Sequence, residues 1–196
     1  MKEMIKWVER YTLFMLILLG IIGFTGCAST TDEGGKNGGE VTGFSLQISP
    51  SPLTITGTGQ VSYFDVVVKE AEGLITSRFT ISYNTSLIEV TEIRTSGNGF
   101  LFTDAGASVN VIENTYDNDA GTIVIGIGAL KKGFTGASGE GRLATVTVRS
   151  RNTGSGTIAF VNTNADDIFM AQYSASDEKG WVEKTVKTVN GSLVVQ

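Results

Sequence analysis

Apolar and polar residues alternate along most of the chain after residue 42. One such run begins at Phe44, and a longer one passes through Ser77, Phe79 and Ile81. A period of two is typical of a β-strand that buries one face and leaves the other in water. Similar runs lie at residues 64–68, 109–112, 122–127, 143–148, 157–161 and 192–195. The phase of the alternation predicts a core that includes Phe79, Ile81, Val146, Val148 and Ile158, with Ile75 on the same phase.

Clusters of glycine, asparagine and aspartate separate these runs. Examples are residues 117–121, with the sequence Asp-Asn-Asp-Ala-Gly, and the pair Asn190-Gly191. These residue types favour tight turns between strands. No segment has the apolar stripe of a long helix. We therefore expect residues 43–196 to form one all-β domain, a β-sandwich or jelly roll.

The N-terminal segment predicts export. Three basic residues, Lys2, Lys6 and Arg10, precede an uncharged apolar run at residues 13–24. This run is shorter than the about 20 residues that span a bilayer, and it fits the apolar core of a signal peptide. The following Phe24-Thr25-Gly26-Cys27 resembles a bacterial lipobox, in which the cysteine thiol takes the lipid.

These features predict three segments: a lipoprotein signal peptide at residues 1–26, a lipidated Cys27 with a flexible glycine-rich tether to residue 42, and the domain at residues 43–196. The protein is then expected in the cell envelope, with its domain outside the cytoplasm and a lipid anchor in a membrane. An uncleaved anchor helix is the alternative, and it places the domain on the same side.

Composition removes several classes of function. The chain has no histidine, and Cys27 is its one cysteine, so a Ser-His-Asp triad, a Cys-His pair, a His-based zinc site and an intramolecular disulfide are all excluded. The net charge of −5 and the lack of a basic cluster argue against nucleic acid as a partner. No spacing of carboxylates indicates a catalytic pair. We therefore expect neither an enzyme nor a bound cofactor.

Four segments, in order, resemble the cohesin family. Residues 73–90 contain Tyr83-Asn84 where the family has Tyr-Asp, and residues 139–148 contain the Leu143-Ala144 step of a family strand. Residues 156–160 and 190–195 follow in family order. The resemblance implies a jelly-roll sandwich of roughly nine strands that binds dockerin modules and so collects polysaccharide-degrading enzymes.

The resemblance also implies a partner-binding surface on the strand that carries Thr76 and Arg78. Arg78 stands where dockerin-binding cohesins commonly have Asp, which inverts a charge at the expected contact. Alternation places Arg78 away from the core, so we expect its guanidinium to be free for a partner carboxylate. An ordinary solvated strand face is the alternative. The full predicted surface consists of Thr76, Arg78, Gly126, Ile127, Gly128 and Ala129.

Three further features have both a functional and a structural interpretation. Trp181, Tyr173 and Tyr116 are candidates for stacking on a sugar, although Trp181 can equally cover the core. The acidic turns at residues 117–119 and 166–167 are candidates for calcium, although hairpin turns need the same residue types. Tyr83 and Asn84 are expected to pack and to cap a turn.

The function that these observations favour is a membrane-tethered, cohesin-like module that binds a dockerin-like protein partner. Such a module would act in scaffolding or adhesion linked to polysaccharide breakdown. The rival hypothesis is a carbohydrate-binding module that grips polysaccharide directly. A purely structural component of the envelope is the third.

Overall fold

The structure is a computed structural model that describes residues 43–196, which contain twelve β-strands and one short helix. The predicted signal peptide, Cys27 and the tether lie outside the described residues. The helix is α1 (Leu101–Asp104). The strands are β1 (Ser45–Ser49), β2 (Leu53–Ile55), β3 (Val61–Ser82), β4 (Ile88–Arg94), β5 (Ser108–Asp117), β6 (Thr122–Leu130), β7 (Ala137–Ser150), β8 (Gly154–Phe160), β9 (Ile168–Tyr173), β10 (Trp181–Glu183), β11 (Lys187–Val189) and β12 (Gly191–Val195).

The long strand β3 belongs to two sheets. Its first part pairs with β1 and β7, and its second part, from Leu74 onward, pairs with β6 and β9. The register against β7 shifts between Val68 and Leu74, a stretch in which Glu70 and Gly73 have φ values of 52° and 64°. Positive φ is the conformation that glycine adopts most easily, and here it lets the strand bend from one sheet into the other.

The front sheet has the order β5-β6-β3-β9-β10, and the back sheet has the order β4-β7-β3-β1-β11. Strand β8 joins the end of β3 to a smaller set in the order β8-β12-β2. All pairings are antiparallel except β1 with β11 and β12 with β2. The result is a jelly-roll β-sandwich, which confirms the fold predicted from the alternation.

The core lies between the inward faces of these sheets, and the predicted core positions are confirmed. All five of the named residues are fully buried: Phe79, Ile81, Val146, Val148 and Ile158. Neighbouring β6 contributes Ile123, Ile125 and Ile127 on the same phase. Thr80 and Thr147, which lie on the opposite phase, are only partly buried.

Two details of the prediction are wrong. Ile75 is half-buried and Leu74 is fully buried instead, because the register of β3 against β9 shifts between Leu74 and Thr76. A shift of one residue moves the following side chains to the other face. The described residues also contain twelve strands instead of roughly nine. One extra break lies between β1 and β2, at prolines 50 and 52, which have no backbone N–H to donate to a ladder.

Candidate protein-binding face

The outward side of the front sheet, which we call the front face, has small residues at its centre. Cross-strand pairing places Ala171 of β9, Thr76 of β3 and Gly128 of β6 in one row. In the next row, Gly126 lies opposite Arg78. Because a glycine leaves no side chain above the sheet, the centre of this face is a flat floor of backbone.

Ile112 lies directly over that floor. The pairing of β5 with β6 shifts register between Val111 and Glu113, so Ile112 is the extra residue of a β-bulge. A Cβ on Gly128 would come within 3.7 Å of Ile112 Cδ1, and one on Gly126 within 3.6 Å of its Cβ. The Ile112 side chain is nevertheless 65% exposed. A large apolar side chain held on a flat sheet face is typical of the centre of a protein interface.

Arg78 has partners within the chain, which corrects the expectation that its guanidinium is free. Arg78 Nε donates to Glu113 Oε2 at 3.1 Å, and Arg78 Nη1 donates to the carbonyl oxygen of Asp166. The reason is again Gly126, which lies between Arg78 and Glu113 in the row across the sheet. With no side chain between them, the two long side chains meet. Both are about one-third exposed, so the pair remains accessible.

The structure divides the six residues predicted as a partner surface. Thr76, Arg78, Gly126 and Gly128 lie together on the front face. Ile127 is completely buried, and Ala129, which shares its phase on β6, packs against the core. Their side chains point away from the front face, so this part of the prediction is wrong. The Thr76 hydroxyl also has a partner, because it donates to the Ile127 carbonyl oxygen at 2.8 Å.

An aromatic strip, which we define as Phe169, Tyr173 and Trp181, borders the front face along β9 and β10. Trp181 lies directly opposite Tyr173 in the pairing of these strands. Its ring meets that of Phe169 edge to face, with centroids 5.8 Å apart, and Lys179 Nζ lies 5.5 Å from the Trp181 ring centre. Trp181 is half-buried through this packing, whereas Tyr173 is 41% exposed.

Tyr116 does not belong to this strip. It lies on β5 at the other edge of the front sheet, opposite the buried Ile123. Strands β6, β3 and β9 separate it from β10. The three aromatic residues predicted as a sugar platform therefore do not form one surface, and only Trp181 and Tyr173 come together.

Tyr83 and Asn84 have the structural roles expected of them. Tyr83 is buried, and its hydroxyl donates to Asn118 Oδ1 at 2.7 Å. Burial, followed by the nearby Asp117 carboxylate, raises the pKa of Tyr83 to about 12. Asn84 Oδ1 accepts hydrogen bonds from the backbone N–H and the hydroxyl of Ser86, which is a turn cap.

The two acidic turns use their carboxylates as turn caps. Asp117 Oδ1 accepts from the backbone N–H groups of Asp119 and Ala120, at 2.8 and 3.0 Å. Asp167 Oδ2 accepts from the backbone N–H groups of Asn164 and Thr163 and from the Thr163 hydroxyl. These hydrogen bonds lower the pKa of both carboxyl groups. Across residues 43–196 there is no group of three or more acidic, Cys or His side chains placed to hold a metal ion.

Comparison with known proteins gives matches of structure alone. No family model matches the chain, and no curated protein matches it. A non-cellulosomal cohesin from the archaeon Archaeoglobus fulgidus is similar, with a TM-score of 0.55 at 18% identity, over 79% of this chain and 92% of that chain. The domain has the cohesin fold. Identity at this level establishes the fold and no more.

Two other structures with this fold are also similar. One is the second type II cohesin module of the adaptor ScaA scaffoldin of Acetivibrio cellulolyticus, with a TM-score of 0.61 at 9% identity, over 78% of this chain and 90% of that chain. The other is a type I cohesin–dockerin complex with OlpA from Clostridium thermocellum, with a TM-score of 0.57 at 18% identity, over 79% of this chain and 100% of that chain.

Within residues 43–196, none of the helical structure has the length and apolar character to cross a bilayer.

Proposed function

We propose that this chain is a protein-binding module that captures its partner on the front face. The observation that carries the proposal is Ile112, which is 65% exposed and held by a bulge over the glycine floor of that face. A solitary exposed isoleucine would have little meaning, since apolar atoms make up much of any protein surface. Here it is framed by an accessible ion pair on one side and by the aromatic strip beyond β9. A specific interface usually combines apolar and aromatic side chains with polar groups at its rim, and the front face has both kinds.

The cohesin fold supports a dockerin-like partner, because similar structures include cohesins in complex with dockerins. The charge at Arg78 gives that partner a distinguishing property. Glu113 and the Asp166 carbonyl oxygen occupy Nε and Nη1 of Arg78, whereas Nη2 makes no hydrogen bond within residues 43–196. A partner that covers the pair removes water from Nη2, and an acidic group on the partner would supply the acceptor that this nitrogen then needs. We therefore propose a dockerin-like module with an acidic group at this contact, and through it a role in scaffolding linked to polysaccharide breakdown.

The proposal includes attachment to a membrane through a lipid on Cys27, with the domain outside the cytoplasm. Its support is the sequence of residues 1–27, in which a basic start, an apolar run and a lipobox-like step occur in order. Each buried CH₂ of an acyl chain contributes about 0.8 kcal/mol, so two or more chains give stable retention. The segment at residues 28–42 would then serve as the tether between the lipid anchor and the domain.

A matched pair of substitutions tests the front face. Ile112→Asp places a charge at the centre of the proposed interface, whereas Val61→Asp places one at an equally accessible apolar residue of the back sheet, where the exposed fraction is 61%. Binding to the dockerin-bearing proteins encoded in the same genome is measured by surface plasmon resonance with the full-length protein. Ile112→Asp should weaken binding tenfold or more, about 1.4 kcal/mol, and Val61→Asp should not change it. Equal affinity for both variants would refute the front face as the interface.

A charge exchange tests whether the partner contacts Arg78 itself. Arg78→Glu and Glu113→Arg each break the internal pair, and the double variant restores it with the charges exchanged. An exposed pair of this kind contributes about 0–1 kcal/mol, so the free energy of unfolding should fall slightly in the single variants and recover in the double variant. Binding should remain at least tenfold weaker in the double variant. Wild-type affinity in that variant would show that the pair serves stability alone.

Direct binding of polysaccharide by the aromatic strip is the second candidate function. The observation that favours it is the placement of Tyr173 directly opposite Trp181, with Tyr173 exposed. Trp181→Ala should abolish binding to insoluble polysaccharide on this hypothesis, while Ile112→Asp should leave it unchanged. The opposite pattern, with protein capture lost in Ile112→Asp, would favour the first candidate.

A further inference from the structure

A small cleft opens at the side of the sandwich, where β3 passes from the back sheet to the front sheet. We call it the side cleft. It has a volume of about 260 Å³ and is lined by Phe44, Glu70, Glu72, Gln172, Lys184 and Thr185. The side cleft is not part of the front face, because Gln172 alternates with Ala171 and Tyr173 and so points to the other side of β9.

Gln172 is the unusual residue of the side cleft. It is only 7% exposed, and its side-chain amide makes no hydrogen bond to any other residue of the described domain. If the unpartnered amide of Gln172 were fully enclosed, it would be a buried polar group without a hydrogen bond. Within residues 43–196 only Ser77 Oγ is such a group, so the Gln172 amide is not sealed in the core. It therefore reaches into the cleft. A largely buried amide is normally hydrogen-bonded, and a partner for this amide can be bound only in the cleft.

The charged residues of the side cleft are unpaired as well. Glu70 and Glu72 lie at the bend of β3, and Lys184 follows β10. None of the three forms an ion pair with another residue of the described domain. The cleft thus combines two carboxylate acceptors, an ammonium donor and an amide that both donates and accepts.

This combination decides which ligand the side cleft fits. A divalent cation would meet only the carboxylates of Glu70 and Glu72 and would be repelled by the Lys184 ammonium, whereas calcium takes six to eight oxygen ligands. An anion would be repelled by Glu70 and Glu72. A neutral molecule rich in hydroxyl groups avoids both costs, since each hydroxyl donates to a carboxylate or accepts from an ammonium or amide.

We propose that the side cleft binds one ring of a neutral saccharide. The two carboxylates accept hydrogen bonds from its hydroxyl groups, and Gln172 and Lys184 donate to them. The half-buried ring of Phe44 supplies an apolar wall for the C–H face of the sugar. A volume of about 260 Å³ lies just below the ~300–1,000 Å³ of sites for drug-sized ligands, which suits a single ring. Because the cleft and the front face are separate, a saccharide and a protein partner can be bound together.

The full-length protein is the material for the test. It is titrated by isothermal calorimetry and by saturation-transfer NMR with glucose, xylose, mannose, galactose and N-acetylglucosamine, each as the free sugar and as a linear trimer. Gln172→Met keeps the length of the side chain and removes its polar atoms, and Lys184→Met removes one donor. Lys132→Met, at an exposed lysine outside the cleft, is the matched control. We expect at least one sugar to bind, a loss of tenfold or more in both cleft variants, and no change in the control.

Stability gives a second readout that a structural role of Gln172 would not produce. If the amide awaits a ligand, Gln172→Met removes an unpartnered polar group and should raise the unfolding temperature of the ligand-free protein. If the amide serves the fold, the same substitution lowers it. Capture of the protein partner should be unchanged in Gln172→Met, so failure of the side cleft and failure of the front face are distinguishable.

Three outcomes count against the proposal, and the first two overturn it outright. The first is that no sugar of the panel binds with a dissociation constant below about 10 mM. The second is that binding survives Gln172→Met and is lost in Trp181→Ala, which assigns the saccharide to the aromatic strip. A fall in the unfolding temperature of Gln172→Met would likewise count against a ligand-binding role for the amide.

Discussion

Replacing Asn118 with alanine should destabilise the domain by about 2–4 kcal/mol. Asn118 lies in the turn between β5 and β6, yet its side chain bonds to residues of two other segments. Its Oδ1 accepts from the Tyr83 hydroxyl and from the Val90 N–H, both at 2.7 Å, and its Nδ2 donates to the Val90 carbonyl oxygen at 3.0 Å. Since β5 belongs to the front sheet and β4, with Val90, to the back sheet, this one side chain ties the two sheets together.

The magnitude follows from the groups that lose a partner. A hydrogen bond contributes about 0.5–1.5 kcal/mol net, and a buried group left without a partner costs about 1–3 kcal/mol. Val90 is buried, so its N–H and carbonyl groups are the costly losses. The Tyr83 hydroxyl retains a second acceptor, the Asp117 carbonyl oxygen at 3.2 Å, so its loss is partial. Together these terms give about 2–4 kcal/mol, below a simple sum of three full penalties.

Two neighbouring variants control for the size and charge of the change. Asn118→Asp keeps the acceptor oxygen but replaces the donor to Val90, and should cost less than the alanine. Asp119→Ala removes an exposed side chain of the same turn and should change stability by no more than about 0.5 kcal/mol. Urea unfolding followed by far-ultraviolet circular dichroism measures all three, and an unchanged m-value shows that the unfolded state is comparable.

Urea unfolding also separates the structural and calcium interpretations of the acidic turn at residues 117–119. The Asp117 carboxylate already accepts two backbone hydrogen bonds, so added calcium or a chelator should leave wild-type stability unchanged. A loss below about 0.5 kcal/mol in Asn118→Ala would refute the account of the side chain as a tie between sheets. A large gain in stability with calcium would refute the account of the turn.

Three further predictions concern the core, alkaline pH and the anchor. Phe79→Ala should cost about 3–5 kcal/mol in urea unfolding, because Phe79 is fully buried, whereas Thr80→Ala on the other phase should cost far less; equal losses would show that the strand faces are misassigned. The pKa of Tyr83 is raised from 10.0 to about 12, so the stability that its neutral form contributes is complete below pH 10.0 and is lost as the pH rises through about 12. Tyr83→Phe should flatten that part of the stability profile, and an unchanged profile would contradict the assignment. Cys27→Ser should leave an unmodified, full-length N-terminus by mass spectrometry of the membrane fraction, and a wild-type protein without acyl mass on Cys27 would exclude the lipoprotein hypothesis.

Much of the sandwich could be predicted because strand phase is a local property of the sequence. Phe79 and Ile81 alternate with polar residues, and a strand with that pattern has only one way to bury both. The prediction that Ile75 is buried is wrong because the alternation continues unbroken through the point where the pairing of β3 with β9 shifts. A bulge is set by the partner strand, and nothing in the alternation of β3 alone reveals it.

The errors at the candidate site have two different origins. The resemblance to cohesins predicts residues 126–129 as one continuous surface, which includes Ile127 and Ala129. Both residues share the phase of Ile123 and Ile125, which are buried, so their side chains point inward. Alternation applied to β6 would have excluded them. The pairing of Arg78 with Glu113 was beyond such reasoning, because the residues are 35 positions apart and meet only through the order of three strands.

The front face is defined by the exposed Ile112 and by the Arg78–Glu113 pair, and both depend on glycines of β6. Gly126 and Gly128 have no positive φ, so neither is needed for a turn, and what they provide is space on the outward side of β6. That space admits the Ile112 side chain from the bulge of β5, and at Gly126 it lets Arg78 reach Glu113 across one strand. A search of the sequence for reactive, charged or aromatic residues passes over such positions. On the proposed function, the glycines that matter for binding are therefore those within a strand, at successive outward positions, and not those of the turns.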